Sequence, residues 1–381
     1  MGRFAGKKIL ITGGSAGIGL ATARRALGAG ANVCIASRSR DRLEAAAKEL
    51  TAAGGAEPHP VKMDVRDEAS VEHGVAAARE RLGGLDIVIS NAGYAHPGHV
   101  GELPMQAFED MLAVNYLGMV RVTRAVLPEL VRAGSGHITY VSSMLGFMGL
   151  YGYTAYAGSK HAIAGFAECL RQEMRPHGIK VSVCYPPTTD TPGLAHENTI
   201  KPAETWAIEG SSRIFTADRV AERLLAGISA GRFDILVGVD SAMIWRMQRF
   251  TPWLVRQTID GSLRRQLAKK KRLRARCAPA LAHRGRSRRR GPRPVEPPEH
   301  RLLRLVELGE LGVEAVVDRS AGWAGLERLL DLGEGARRGL VDGAEGDACQ
   351  DRRPPEVGMD GVGHSLDGAV HDVGVDLAPQ I

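Results

Sequence analysis

The most constraining stretch of this 381-residue chain is Thr12-Gly13-Gly14-Ser15-Ala16-Gly17-Ile18-Gly19, set between an apolar run, Lys8 to Thr12, and a run of helical period, Ile18 to Leu27. Gly13 can make a tight turn out of a strand, Gly17 can let the backbone approach a pyrophosphate, and Gly19 can let helix and sheet pack closely. Ser15, Ala16 and Ile18 fill the loop between them, and the helix N-terminus adds N–H donors and a partial positive charge. Gly13-x-Ser15-x-Gly17 also spells the elbow that carries a nucleophilic serine in hydrolases. That elbow follows a strand with others before it, whereas this one is the first element of the chain.

Six further strand runs follow, at Ala31 to Ser37, Pro60 to Asp64, Asp86 to Asn91, His137 to Ser142, Lys180 to Tyr185 and Asp234 to Val239. Helical periodicity fills the spaces between them, at Arg40 to Ala53, Glu68 to Arg81, Phe108 to Ala133, Ala157 to Arg175 and Ala217 to Ser229. Seven strands separated by crossover-length helices predict an α/β fold, a doubly wound parallel sheet of the Rossmann type over residues 1 to about 265.

Beyond that point the chemistry changes. Residues 261–293 carry 14 Lys/Arg and no Asp/Glu, whereas residues 294–381 carry 8 against 18, so the overall charge of +7 conceals a basic segment and an acidic tail. We expect 266–300 to be a basic, Pro-rich linker whose start, Leu263 to Arg276, can extend the last helix. Residues 301–381 are expected to be a disordered low-complexity extension or a wrongly assigned reading frame. The five cysteines are scattered without a Cys-x-x-Cys pair, so neither a metal site nor a disulfide framework is expected. No apolar run reaches the ~18 residues of a membrane span, and a cytoplasmic protein is expected, with membrane association left open.

The second strand ends in Ser37-Arg38-Ser39-Arg40-Asp41-Arg42. An acidic residue there would accept hydrogen bonds from both ribose hydroxyls of NAD; here Ser37, Arg38 and Arg42 favour the 2′-phosphate of NADPH, although Arg40 and Arg42 also suit the first turn of a surface helix. Asp64 and Val65, ending the third strand, suit an adenine edge, and Asn91-Ala92-Gly93 places a small-residue loop beside the cofactor.

The strongest chemical signal is Tyr156-Ala157-Gly158-Ser159-Lys160 at the start of a helix. The i to i+4 spacing sets phenol and ammonium on one face, where the cation can draw the phenol's pKa down from about 10. Ser143 ends the fifth strand at the ligand-binding mouth, with Ser142 as the alternative on the other face, and Asn115 falls mid-helix, where it is a poor helix former. With the glycine loop and Asn91-Ala92-Gly93, these residues resemble the short-chain dehydrogenase/reductase family over residues 1 to about 265, with Ser90 where the family often has a second Asn. The resemblance implies that Tyr156 protonates a carbonyl, Ser143 polarises it, Lys160 binds the nicotinamide ribose and Asn115 holds a relay water. It also implies that Pro186, after the sixth strand, borders the nicotinamide.

Tyr185-Pro186-Pro187-Thr188-Thr189-Asp190-Thr191-Pro192-Gly193, with Glu197-Asn198 and Lys201 to Thr205, resembles the subgroup that reduces 3-keto sphingoid bases with NADPH. Thr188 stands where that subgroup tends to have Asp. A lipid-like ketone is therefore the expected substrate, with another lipid, steroid or 3-oxoacyl ketone as the alternative. A homo-oligomer, dimer or tetramer, is expected. Trp, Phe and Met mixed with Arg over 241–256, followed by basic residues, suit peripheral membrane contact or a buried lid helix. Non-catalytic binding of nucleic acid or a membrane surface through the Arg-rich segment is the further alternative, but that segment lacks interleaved aromatics, and no nucleic acid is expected as a partner.

Overall fold

A computed structural model describes residues 3–53, 56–209, 212–284, 303–308 and 313–318. Nine strands and eleven helices occupy the described part of residues 3–284, and seven of the strands form one parallel sheet. These are β1 (Lys8–Thr12), β2 (Asn32–Ser37), β3 (His59–Lys62), β4 (Ile87–Ser90), β5 (Gly136–Val141), β6 (Ile179–Tyr185) and, after two short strands, β9 (Asp234–Leu236), in the order β3-β2-β1-β4-β5-β6-β9. Every sequence-predicted strand is present, β1 with the expected ends and the others with at least one end shifted by one to three residues.

Strand alternation decides which helices cover which face. Ile9, Ile11, Val33, Ile35, Ile87 and Ile89 point to the face packed by α1 (Gly17–Gly28), α2 (Arg40–Ala52) and α9 (Ala217–Ser229). Leu10, Cys34, Val88, Ile138, Tyr140, Val181 and Val183 point to the face covered by α3 (Glu68–Leu82), α5 (Gly118–Ala133) and α6 (Thr154–Met174). Because both faces are dry, the strands read as continuous apolar runs, and each fully buried Ile or Leu contributes on the order of 1.5–3 kcal/mol.

The stretch Phe108 to Ala133, expected as one helix, consists of α4 (Met105–Leu112), a π-helical turn at Ala113–Leu117, and α5. After β6 the chain leaves through β7 (Thr189–Asp190), runs through α7 (Pro192–Ile200) and α8 (Ala203–Glu209), and returns at β8 (Phe215–Thr216), which pairs with β7. This closed strap stands over the C-terminal ends of the strands. α10 (Val239–Phe250) and α11 (Pro252–Arg284) follow β9, so the expected boundary near 265 falls inside α11, and the compact unit ends at Arg288.

In the unit from Arg289 onward, β10 (Leu303–Leu308) and β11 (Val313–Asp318) pair antiparallel. The rest of the expected linker and low-complexity tail lies outside the described residues. Among the described residues no helix is long and apolar enough to cross a membrane, and no cluster of potential metal ligands occurs.

Candidate active site

The site is built at the C-terminal ends of β1, β2, β4, β5 and β6. Leaving β1, Gly13 adopts φ +66° and Gly17 φ +53°, left-handed conformations that glycine takes without strain. A Cβ on Gly19 would lie 2.3 Å from the Gly13 carbonyl oxygen, so only glycine lets α1 approach this closely. Asn91 braces the same loop: its Nδ2 donates to the Thr12 and Gly13 carbonyls at 3.1 and 3.2 Å, while its own N–H and that of Ala92 donate to Thr12 Oγ1. Asn91 is thus a strut as well as a cleft residue, and Ser15 and Ile18 are half-buried beside it.

The N-terminus of α1 suits a pyrophosphate. Ala16, its N-cap residue, makes no side-chain cap hydrogen bond, and no acidic side chain occupies the first turn. The helix therefore presents backbone donors without a side-chain acceptor, which favours an anion there.

At the adenosine end, Ser37 closes β2 and its carbonyl accepts from Met63 N–H. Arg38 lies near enough to Asp64 and Tyr94 for its charge to favour the ionised form of each. Arg40 turns away to Glu44, 3.0 Å distant, and Arg42 occupies the first turn of α2, where its N–H is capped by Ser39. Asp64 is held by Arg66, whose Nη2 donates to Oδ2 at 2.6 Å and whose N–H donates to Oδ1 at 3.0 Å; these bonds hold the carboxyl below the usual range. The sequence reading missed Arg66, although it stands two residues after Asp64. Val65 is buried and packs on Gly118, where a Cβ would lie 2.7 Å from Val65 Cγ2.

Ser143, Tyr156, Lys160 and Asn115 meet in one cluster. Ser143 Oγ lies beside the Tyr156 phenol, whose pKa it lowers, and accepts from Leu145 N–H. Ser142 is excluded from this role, because it is buried with its hydroxyl donating to the Lys160 carbonyl at 3.0 Å. Lys160 Nζ donates to the Val141 carbonyl at 2.9 Å and lies 5.6 Å from the Tyr156 ring centroid. Pro186 is buried, and its carbonyl accepts from Met144 N–H, holding the β6 exit beside the Ser143 turn.

Asn115 sits in the π turn and is fully buried. Its Nδ2 donates to Tyr94 O and Ser159 Oγ, and its Oδ1 accepts from Tyr94 N–H, so the side chain ties the loop after β4 to α6. Ser159, the fourth letter of the Tyr156 motif, was not singled out from sequence. Gly93 is confined between these groups: a Cβ there would lie 3.0 Å from Asn115 Oδ1 and 3.3 Å from Lys160 Nζ.

The charge state of the pair differs from the sequence expectation. Burial raises the Tyr156 phenol above the ordinary tyrosine range, the Glu197 carboxylate raises it further, and the Ser143 hydrogen bond opposes both. Burial also brings the Lys160 ammonium down to about 8. Desolvation is therefore the largest cause for both groups, and it opposes the charged form of each. A second tyrosine links the strap to this cluster: Tyr153, just before α6, has its ring centroid 6.0 Å from that of Tyr156 and donates its hydroxyl to Glu197 Oε1 at 2.6 Å. A half-buried phenol and serine beside a buried ammonium, at the mouth of a phosphate-binding fold, can donate a proton to a carbonyl oxygen and hydrogen-bond it.

Comparison with known proteins agrees with this geometry. Residues 7–201 match the family described as short chain dehydrogenase. The 3-ketodihydrosphingosine reductase of Mus musculus is 37% identical over 249 residues, covering 63% of this chain and 73% of that protein. The 3-dehydrosphinganine reductase of Danio rerio is 38% identical over 243 residues with the same coverage. Among solved structures, a short chain dehydrogenase/reductase from Burkholderia phymatum in complex with NAD is similar with a TM-score of 0.60 and 26% identity, over 67% of this chain and 96% of that one.

Proposed function

This chain belongs to the short-chain dehydrogenase/reductase family and is an oxidoreductase that works with a nicotinamide dinucleotide; from that premise we propose that it reduces the 3-keto group of a long-chain sphingoid base with NADPH. The observation that carries the reading is the Ser143–Tyr156–Lys160 cluster, its ammonium buried and its hydroxyls half-buried, at the same end of the sheet as the bare N-terminus of α1. The names of the relatives supply the substrate class.

In this reading the backbone of Gly13, Ser15, Ala16, Gly17, Ile18 and Gly19 holds the pyrophosphate. Ser37, Arg38 and Arg42 receive the 2′-phosphate, and Asp64 and Val65 border the adenine. Asn91, Ala92, Gly93 and Pro186 line the nicotinamide half. When bound, the reduced nicotinamide supplies a hydride to the carbonyl carbon. Ser143 Oγ hydrogen-bonds the carbonyl oxygen, and Tyr156 gives that oxygen its phenolic proton as charge develops on it. Lys160 holds the ribose and places a positive charge beside the phenolate that forms. Asn115 fixes the cleft by joining Tyr94 to Ser159 and carries the relay through the π turn.

Preference for NADPH rests on Arg38 at the end of β2, where no carboxylate stands to repel a 2′-phosphate. The assembly is a homo-oligomer, and contact with a membrane is peripheral. Val239, Phe250 and Trp253 are exposed beside Arg246, Arg249 and Arg256, as an interfacial surface requires. Oxidation of NADPH by the full chain in the presence of 3-ketodihydrosphingosine, with dihydrosphingosine as product, tests the reaction. Turnover confined to steroid or 3-oxoacyl ketones would overturn the substrate assignment.

A further inference from the structure

Glu197, on α7 of the strap, sits beside the reacting phenol in surroundings short of positive charge. It lies 3.7 Å from Lys201 Nζ, which is 2.5 Å from Glu209 as well, so two carboxylates share one ammonium. This happens away from water: the Lys201 side chain is 2% exposed and the two glutamates 16% each. Glu204, on α8, brings a third carboxylate to within 3.9 Å of His99 Nε2. Tyr153 carries the arrangement to the reaction centre, with its hydroxyl on Glu197 and its ring against Tyr156.

For a neutral ketone this placement works against the chemistry. Proton donation turns Tyr156 into a phenolate, and a half-buried carboxylate nearby opposes a second negative charge, all the more in a poorly solvated site. Burial also raises the Glu197 carboxyl, against the Tyr153 hydrogen bond and the Lys201 ammonium that it shares with Glu209. A cation arriving with the substrate would reverse both effects, pairing with Glu197 and offsetting the charge that develops on the phenol. The remaining requirement is position: the cation must sit on an atom next to the carbonyl that Ser143 and Tyr156 engage.

We propose that Glu197 is a specificity-determining residue, selecting ketones that carry an ammonium group on the carbon beside the carbonyl. The substrate then completes the charge balance of the acid that protonates it. The inference rests on the ketone reduction described above and adds what selects the substrate. It also gives the cleft a sense of direction, with Arg38 and Arg66 at the phosphate end and the carboxylate-rich strap at the ketone end.

The test compares 3-ketodihydrosphingosine with its N-acetyl amide, the same ketone without a titrating nitrogen, using the full chain and NADPH. Wild type should prefer the amine by ~10–100-fold in kcat/KM, the span expected for one charge-assisted hydrogen bond. Glu197→Gln keeps an acceptor for the Tyr153 hydroxyl and should lose most of that preference. Tyr153→Phe removes the hydrogen bond, leaves the carboxylate, and should keep the preference. Equal losses on both substrates in Glu197→Gln, or equal turnover of both by wild type, would overturn the role of Glu197. A wild type that turns over neither ketone would instead refute the proposed reaction, so the two failures are distinguishable.

Discussion

Lys160 is asked to be both buried and charged. Its side chain has the Val141 carbonyl as hydrogen-bond partner, and burial brings the ammonium down to about 8. Below that pH the cation is present beside Tyr156; as pH rises through it the proton leaves and the field on the phenol is lost. We expect kcat/KM for ketone reduction to fall above about pH 8, and Lys160→Arg, which stays charged, to move that limb upward; a pH profile flat to pH 10 would contradict this. Tyr156→Phe should lower kcat by ~10²–10⁴-fold, the usual worth of a positioned proton donor, while fluorescence titration shows NADPH binding retained. The residues named here were legible in sequence because their spacing is local. Ser143 was legible as the end of a strand at the ligand-binding mouth, whereas Glu197, 41 positions from Tyr156, was not, and only the folded chain decides which of Ser142 and Ser143 faces the cleft.

Among the elements, the π turn at Ala113–Leu117 shows what periodicity cannot register. A single widened turn leaves the apolar pattern on either side intact, so Phe108 to Ala133 reads as one helix, yet the turn brings Asn115 to three hydrogen bonds inside the cleft. Asn115→Ala would strand the Tyr94 N–H and carbonyl and should cost about 1–3 kcal/mol of stability, read as a lower denaturation midpoint together with reduced turnover. A second buried link crosses three strands, since His137 on β5 is 2.7 Å from Ser182 Oγ on β6, which in turn donates to the Arg232 carbonyl just before β9. Burial lowers the His137 imidazole to about 4, and the nearby Lys180 adds to this. The folded state therefore keeps it neutral while the unfolded chain takes up a proton below its ordinary value of 6.5. That contribution to stability is complete above pH 6.5 and is lost as pH falls toward 4; urea titrations should show a flatter acid limb in His137→Gln than in wild type.

For the whole molecule, the order β3-β2-β1-β4-β5-β6-β9 was implicit in a chain of alternating strands and helices opening on a glycine loop, and so was the mouth at which the ligands meet. The strap over 191–214 was not legible: α7 and α8 carry short, mixed patterns, and what fixes them is the β7–β8 pairing and the hydrogen bonds of Glu197 with Tyr153 and of Thr205 with the Tyr151 carbonyl, contacts between residues remote in sequence. The polarity of the cleft belongs to this scale as well. Arg38→Asp should invert the sign of the charge at the end of β2 and lower the kcat/KM ratio of NADPH to NADH by ~10-fold or more, measured with one ketone at fixed ionic strength. An unchanged ratio would shift the 2′-phosphate contact to Arg42 or Arg66.

Because the sheet is parallel, every strand enters at the opposite rim, and six of them do so just after a glycine of positive φ, at Gly6, Gly30, Gly84, Gly134, Gly178 and Gly231. That rim carries none of the groups that handle ketone or dinucleotide. It therefore offers a place to engineer the protein without touching its chemistry: a fluorophore, an affinity handle or an attachment to a solid support spliced in at the exposed turn of Gly134 and Ser135 should leave turnover intact.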